Sequence, residues 1–149
     1  MIDGLAVVDK PAAWTSHDVV ARCRKVFGQK KVGHSGTLDP DATGVLLVGL
    51  GRVTRLLRFL TDLPKTYSTE IVFGRATSTL DASGETTGEW NMTGLTPAGV
   101  TEASRRFVGD IEQIPPMVSA VKIDGRRLHE LAREGKEVER KPRPVTVYR

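Results

Sequence analysis

Asp39 is a side chain whose type and position could do chemistry. It lies in Gly33-His34-Ser35-Gly36-Thr37-Leu38-Asp39-Pro40-Asp41-Ala42-Thr43-Gly44-Val45-Leu46. Three glycines and a proline break any regular period, so this stretch reads as a polar, sharply turned loop. The apolar run Val45-Leu46-Leu47-Val48 that follows reads as a buried strand. An ionised aspartate is compact and charged at neutral pH, and it can act as a nucleophile or a base. Asp followed by Pro is also an ordinary type I turn signature, with the carboxylate accepting backbone N–H bonds. Local chemistry favours the turn and leaves the catalytic role open.

The other candidates carry similar alternatives. Asp39 and Asp41 form only a weak pair for a divalent cation, because the loop holds no third acidic residue. No metal is therefore expected. His34 is either a proton carrier, a nucleic-acid contact or a solvated loop residue. His17 and His129 fall on helices without a metal-like partner, and no Ser-His-Asp set can be argued. The glycines match neither G-x-x-x-x-G-K-[ST] nor G-x-G-x-x-G, so a nucleotide cofactor is not indicated. Tyr67 is either a core ring or a ring that stacks on a base. Lys10, just after the first strand, is equally open. Arg52, Arg55 and Arg58, with Lys31 upstream, either track phosphates or form a solvated face.

The elements that must position these residues follow from patterning. Leu5-Ala6-Val7-Val8 reads as a strand. Thr15 or Ser16 caps a helix to about Phe27, with Thr15-x-x-Asp18 in capping-box form. Val19, Val20, Cys23, Val26 and Phe27 make its inner stripe, and Gly28 stops it. Gly51 opens a second helix to about Leu60, with Val53, Leu56, Leu57 and Leu60 inward. Residues Lys65 to Phe73 read as a strand. Ala76 to Gly88 is a loop or hairpin. Thr96-Pro97 starts a third helix. Met117 to Lys122 is a strand candidate, Asp124-Gly125 a turn, and Arg127 to Glu134 a short helix. Pro144 to Arg149 alternates like a strand. Strands interleaved with helices and hairpins indicate a mixed α/β or α+β domain.

Bulk properties set limits. The 149 residues are one domain's worth. The 22 Lys and Arg exceed the 18 Asp and Glu, giving a net charge of +4. That bias favours a polyanionic partner, nucleic acid before membrane. The single Cys23 excludes an internal disulfide and zinc spacing and reads as a small buried residue. No apolar run approaches a membrane span, and no basic n-region precedes a long apolar core, so a cytoplasmic protein is expected.

Two stretches resemble the leading motifs of the TruB family of pseudouridine synthases. They are Leu5-Ala6-Val7-Val8-Asp9-Lys10-Pro11 and the loop from Gly33 to Leu46. Further matches follow in order: Lys65-Thr66-Tyr67, Arg75-Ala76-Thr77 through Asp81-Ala82-Ser83-Gly84, and Gly109-Asp110-Ile111-Glu112-Gln113-Ile114-Pro115-Pro116. Lys122-Ile123-Asp124-Gly125 with Ala132-Arg133-Glu134-Gly135 completes them. The resemblance spans essentially the whole chain.

It implies an α+β fold, a mixed and largely antiparallel sheet flanked by helices. It implies isomerisation of uridine to pseudouridine in the tRNA T arm, at nucleotide 55, without any cofactor. The target base must be flipped out of an RNA loop. By resemblance Asp39 is the catalytic aspartate. His34 fills the space that the flipped nucleotide leaves, Tyr67 packs against the flipped base, and Lys10 supports the site. Arg52, Arg55 and Lys31 become candidate contacts to the tRNA backbone. The T stem-loop is the expected partner of a monomeric enzyme. Relatives often carry tyrosines where this chain has His129 and Leu131. They also continue through a second half of the catalytic domain, with an arginine that orients the aspartate, and usually a PUA domain. Residues 1–149 are thus expected to be the N-terminal portion of a catalytic domain. Two other functions stay in play: a non-catalytic tRNA-binding or folding module, and a guide-RNA-dependent synthase.

Overall fold

A computed structural model describes residues 1–119 and 121–149. The chain divides into two compact units, Met1–Ser68 and Thr69–Arg149.

The first unit is built on a three-stranded antiparallel sheet in the order β1-β3-β2, with β1 Gly4–Lys10, β2 Val32–Ser35 and β3 Gly44–Leu50. Ala6 pairs with Val48, Val8 with Leu46 and Lys10 with Gly44, so these side chains share one face. Helix α1 (Ser16–Val26) covers that face. Val19, Val20 and Cys23 pack with Val32, Leu46, Val48 and Leu50, and Ala6, Val8, Phe27 and Leu38 close around them. The helix begins as its sequence dictates. Thr15 accepts the Asp18 N–H, and the Asp18 carboxylate accepts the Thr15 N–H. Gly28, at φ 61°, ends it. Val26, expected inward, is 63% exposed at the helix's last residue.

On the opposite sheet face Leu57 of α2 (Leu57–Thr61) lies against Gly49. A Cβ on Gly49 would stand 3.1 Å from the Leu57 side chain, so the glycine admits this approach. The helix expected from Gly51 to Leu60 is instead a 3-10 segment, Gly51–Arg55, followed by the short α2. Three residues per turn rather than 3.6 shift the phase, and Leu56 points out while Leu57 is buried.

The expected strand Lys65–Phe73 does not form. Residues 64 to 72 carry no regular structure, and the segment has no ladder partner among the described residues. A strand pattern without a neighbour leaves its backbone groups to water, so alternation alone does not make a strand.

The second unit carries three two-stranded antiparallel ladders among the described residues. A hairpin joins β4 (Arg75–Thr77) to β5 (Thr86–Glu89) with a register shift at Ala76/Thr77. β9 (Arg143–Val147) is the strand that the alternation at the end of the chain suggests, and it pairs with β6 (Gly109–Gln113), which the sequence pattern does not mark as a strand. β7 (Lys122–Ile123) and β8 (Arg126–Arg127) meet across Asp124 and Gly125, both at positive φ. The strand expected from Met117 is limited to β7, and Ala120 within it lies outside the described residues. α3 (Pro97–Arg105) starts at the Thr96 cap, and α4 (Leu128–Arg133) buries Leu128 and Leu131. The α+β class and the antiparallel pairing agree with the sequence reading.

Candidate functional site

The loop expected from Gly33 is partly strand. Gly33 pairs with Gly49, His34 with Val48 and Ser35 with Leu47, so the loop proper begins at Gly36. Gly36 and Gly44 take φ values of 81° and 115°, which L side chains rarely adopt, and they mark its two corners.

Asp39 lies at the exposed bend. Its carbonyl accepts the Ala42 N–H at 3.1 Å, which closes a turn over Asp39–Ala42. The turn expected from Asp-Pro therefore exists, but backbone closes it. Among the described residues the Asp39 carboxylate has no hydrogen-bond or ion-pair partner. The side chain is left for other work.

Lys10 carries that turn from beneath. It is fully buried, on the sheet face that α1 covers. Its Nζ donates to the carbonyls of Trp14 at 2.6 Å, Pro40 at 2.9 Å and Pro11 at 3.0 Å. All three ammonium protons are thereby spent on backbone oxygens. One of those oxygens belongs to the residue after Asp39. Lys10 is thus brought to the Asp39 turn as a support, not as a free cation.

On the residue before Asp39, the buried Ser16 hydroxyl bonds both backbone groups of Leu38. In the sequence Ser16 is marked only as a possible helix cap. Its tie to a residue 22 positions away has no local signal.

His34 is held by two contacts. Its Nδ1 lies 2.6 Å from the Gly36 carbonyl, and its ring meets His17 edge to face with centroids 5.3 Å apart. A carbonyl partner requires Nδ1 to carry the proton, which leaves Nε2 as an acceptor in the neutral ring. His17, set aside on sequence grounds, is therefore part of the His34 environment.

Tyr67 is exposed in the irregular segment after α2. That segment is tethered by Lys65, whose Nζ donates to the carbonyls of Thr61 at 2.5 Å and Leu63 at 3.2 Å. Tyr67 borders an open cavity of about 680 Å³ shared with Thr37, Leu38, Asp41, Leu47 and Leu60. Asp39 is not part of its lining.

The three basic residues differ. Arg52 donates to Asp3 from its backbone N–H and from Nε, the latter at 2.7 Å. These bonds hold the Asp3 carboxyl below its ordinary range, backbone bond first. Arg52 is thus partly neutralised. Arg55 and Lys31 are exposed and form no salt bridge among the described residues, although Lys31 stands near enough to help lower the Asp3 carboxyl. Among the described residues no three His, Cys, Asp or Glu side chains gather where a metal ion could be held.

The TruB family pseudouridylate synthase N-terminal domain matches residues 24–149. tRNA pseudouridine synthase B of Rhodococcus jostii (strain RHA1) is 53% identical over 146 residues, covering 98% of this chain and 48% of that protein. The protein of the same name from Symbiobacterium thermophilum is 53% identical over 148 residues, covering 99% of this chain and 50% of its own length. This chain thus spans about half the length of the curated relatives it matches. Among solved structures, a Cbf5-Nop10-Gar1 complex aligns with a TM-score of 0.59 at 26% identity, over 98% of this chain and 34% of the matched chain.

Proposed function

Because this chain belongs to the TruB family of pseudouridylate synthases, we propose that it bears the catalytic aspartate of an enzyme that converts uridine to pseudouridine in the tRNA T arm, at nucleotide 55. The observation that carries this reading is the Asp39 carboxylate, exposed and without a partner among the described residues, in a turn whose flanking backbone is held by Ser16 and Lys10. A carboxylate used only to form the turn would be tied to its N–H groups.

The reaction breaks the bond from uracil N1 to ribose C1′ and makes one from uracil C5 to C1′. The C5 proton is lost and N1 gains one, so the balance closes without an oxidant or metal. Asp39 serves as the nucleophile or base of this exchange. The target uridine leaves its stack at an unstacking cost of a few kcal/mol. His34 occupies the vacated space, fixed by Gly36 and His17. Tyr67, on the cavity rim, packs against the flipped base. Arg55 and Lys31 neutralise phosphates, and Arg52 contributes less because Asp3 already holds it. Lys10 acts through the loop backbone.

The test is tritium release from uracil-5-labelled tRNA transcript by the intact gene product, with no other RNA added. Release from the T arm alone supports the proposal. Release only with an added guide RNA assigns the guide-dependent reading instead. Tight tRNA binding without release assigns a folding module.

A further inference from the structure

We infer that Ser16 is a positioning residue for Asp39, an inference that rests on the catalytic reading of Asp39 above. Ser16 is 1% exposed and opens α1 directly after the Thr15 cap. Its Oγ accepts the Leu38 N–H at 3.0 Å and donates to the Leu38 carbonyl at 3.3 Å. A single hydroxyl thus satisfies both backbone groups of a residue outside any strand, as a ladder neighbour would. Leu38 also packs its side chain against the core cluster, which fixes the same residue from a second direction.

The Lys10 bond to the Pro40 carbonyl fixes the other side of Asp39. Between these two anchors the Asp39 carbonyl is committed to Ala42. The Asp39 side chain itself carries none of these bonds among the described residues. The helix start that carries Ser16 is held by the reciprocal bonds of Thr15 and Asp18. Buried and bonded to Leu38, Ser16 acts through the loop backbone. It sets where the carboxylate stands when the flipped uridine arrives.

Loss of the hydroxyl frees the backbone one residue before Asp39. A displacement of about 1 Å at a reacting group costs about 10²-fold in rate. In the intact gene product, Ser16→Ala is expected to lower the single-turnover rate on T-arm RNA by about 10- to 100-fold. RNA affinity should stay within about threefold, since the residue contacts no phosphate. The Leu38 amide should exchange its hydrogen faster than in the parent. Ser16→Thr, which keeps the hydroxyl, should recover most of the rate. Ser16→Cys, a weak donor and acceptor of similar size, should not. An Ala variant that turns over at the parent's rate overturns the inference, as does one whose affinity falls in step with its rate. If the Ala variant does not fold, equal rates for the Thr and Cys variants overturn it. A parent that forms no pseudouridine refutes the reading of Asp39 itself, a result distinct from an active parent indifferent to Ser16.

Discussion

Consider Lys10→Met, which keeps an unbranched side chain of similar length and removes the ammonium. The parent side chain makes three bonds to carbonyls, at 2.6, 2.9 and 3.0 Å, from a fully buried position. Hydrogen bonds to charged groups contribute about 1.5–3 kcal/mol each. Two terms offset their loss. Burying an ammonium costs several kcal/mol, which the variant no longer bears. Pro11, Trp14 and Pro40 are also exposed residues, so water can reach part of what Nζ abandons. The expected net destabilisation is about 2–4 kcal/mol. For a domain of this size that lowers Tm by about 5–15 °C. Calorimetry measures the stability, and single-turnover kinetics on T-arm RNA measure the site. The rate should fall more than the RNA affinity, because the lost bond to Pro40 frees the Asp39 turn. A variant within about 1 °C of the parent and equally fast would refute the claim that Lys10 supports this turn.

Thr15→Ala removes one half of the capping box, and urea unfolding should show a loss of about 1 kcal/mol. Glu134 is bonded by Arg126 and then by Lys136, which together lower its pKa from 4.5 to about 2. Its contribution to stability is therefore fully present above pH 4.5 and is lost as pH falls toward 2. A carboxyl titration followed by NMR should find that low midpoint in the parent and a shift back toward 4.5 in Arg126→Gln. Burial raises the Cys23 thiol pKa, so a thiol reagent near neutral pH should modify it slowly until denaturant is added. Rapid modification of the native protein would contradict its place in the core.

Much of this arrangement is legible in the residues alone, and the exceptions have physical reasons. The apolar runs at Leu5–Val8 and Val45–Val48 suffice for β1 and β3, because a short apolar run between turn signals leaves few other readings, but the burial they suggest is one-sided, with Leu5, Val7 and Val45 exposed. Thr15 and Asp18 announce α1, and Thr96-Pro97 announces α3. β2 is hidden, because Gly33-His34-Ser35 has loop composition and becomes strand only by pairing with β3. The segment after Pro64 fails in the opposite sense, with a strand pattern and no partner among the described residues. Leu56 is misplaced because a tight 3-10 turn shifts the helical phase. At the site, Asp39 could be singled out by type, but its free carboxylate could not. Which groups hold a turn is decided by residues as distant as Lys10 and Ser16, whose hydrogen bonds span 30 and 22 positions.

On the proposed function, the Asp39 carboxylate does the chemistry. Asp39→Asn changes that group while leaving the turn, which closes through backbone atoms. Measured as tritium release from uracil-5-labelled tRNA by the intact gene product, this variant should lose at least about 10³-fold in rate. Its tRNA affinity should remain close to that of the parent. An Asn variant that releases tritium at the parent's rate would contradict the account.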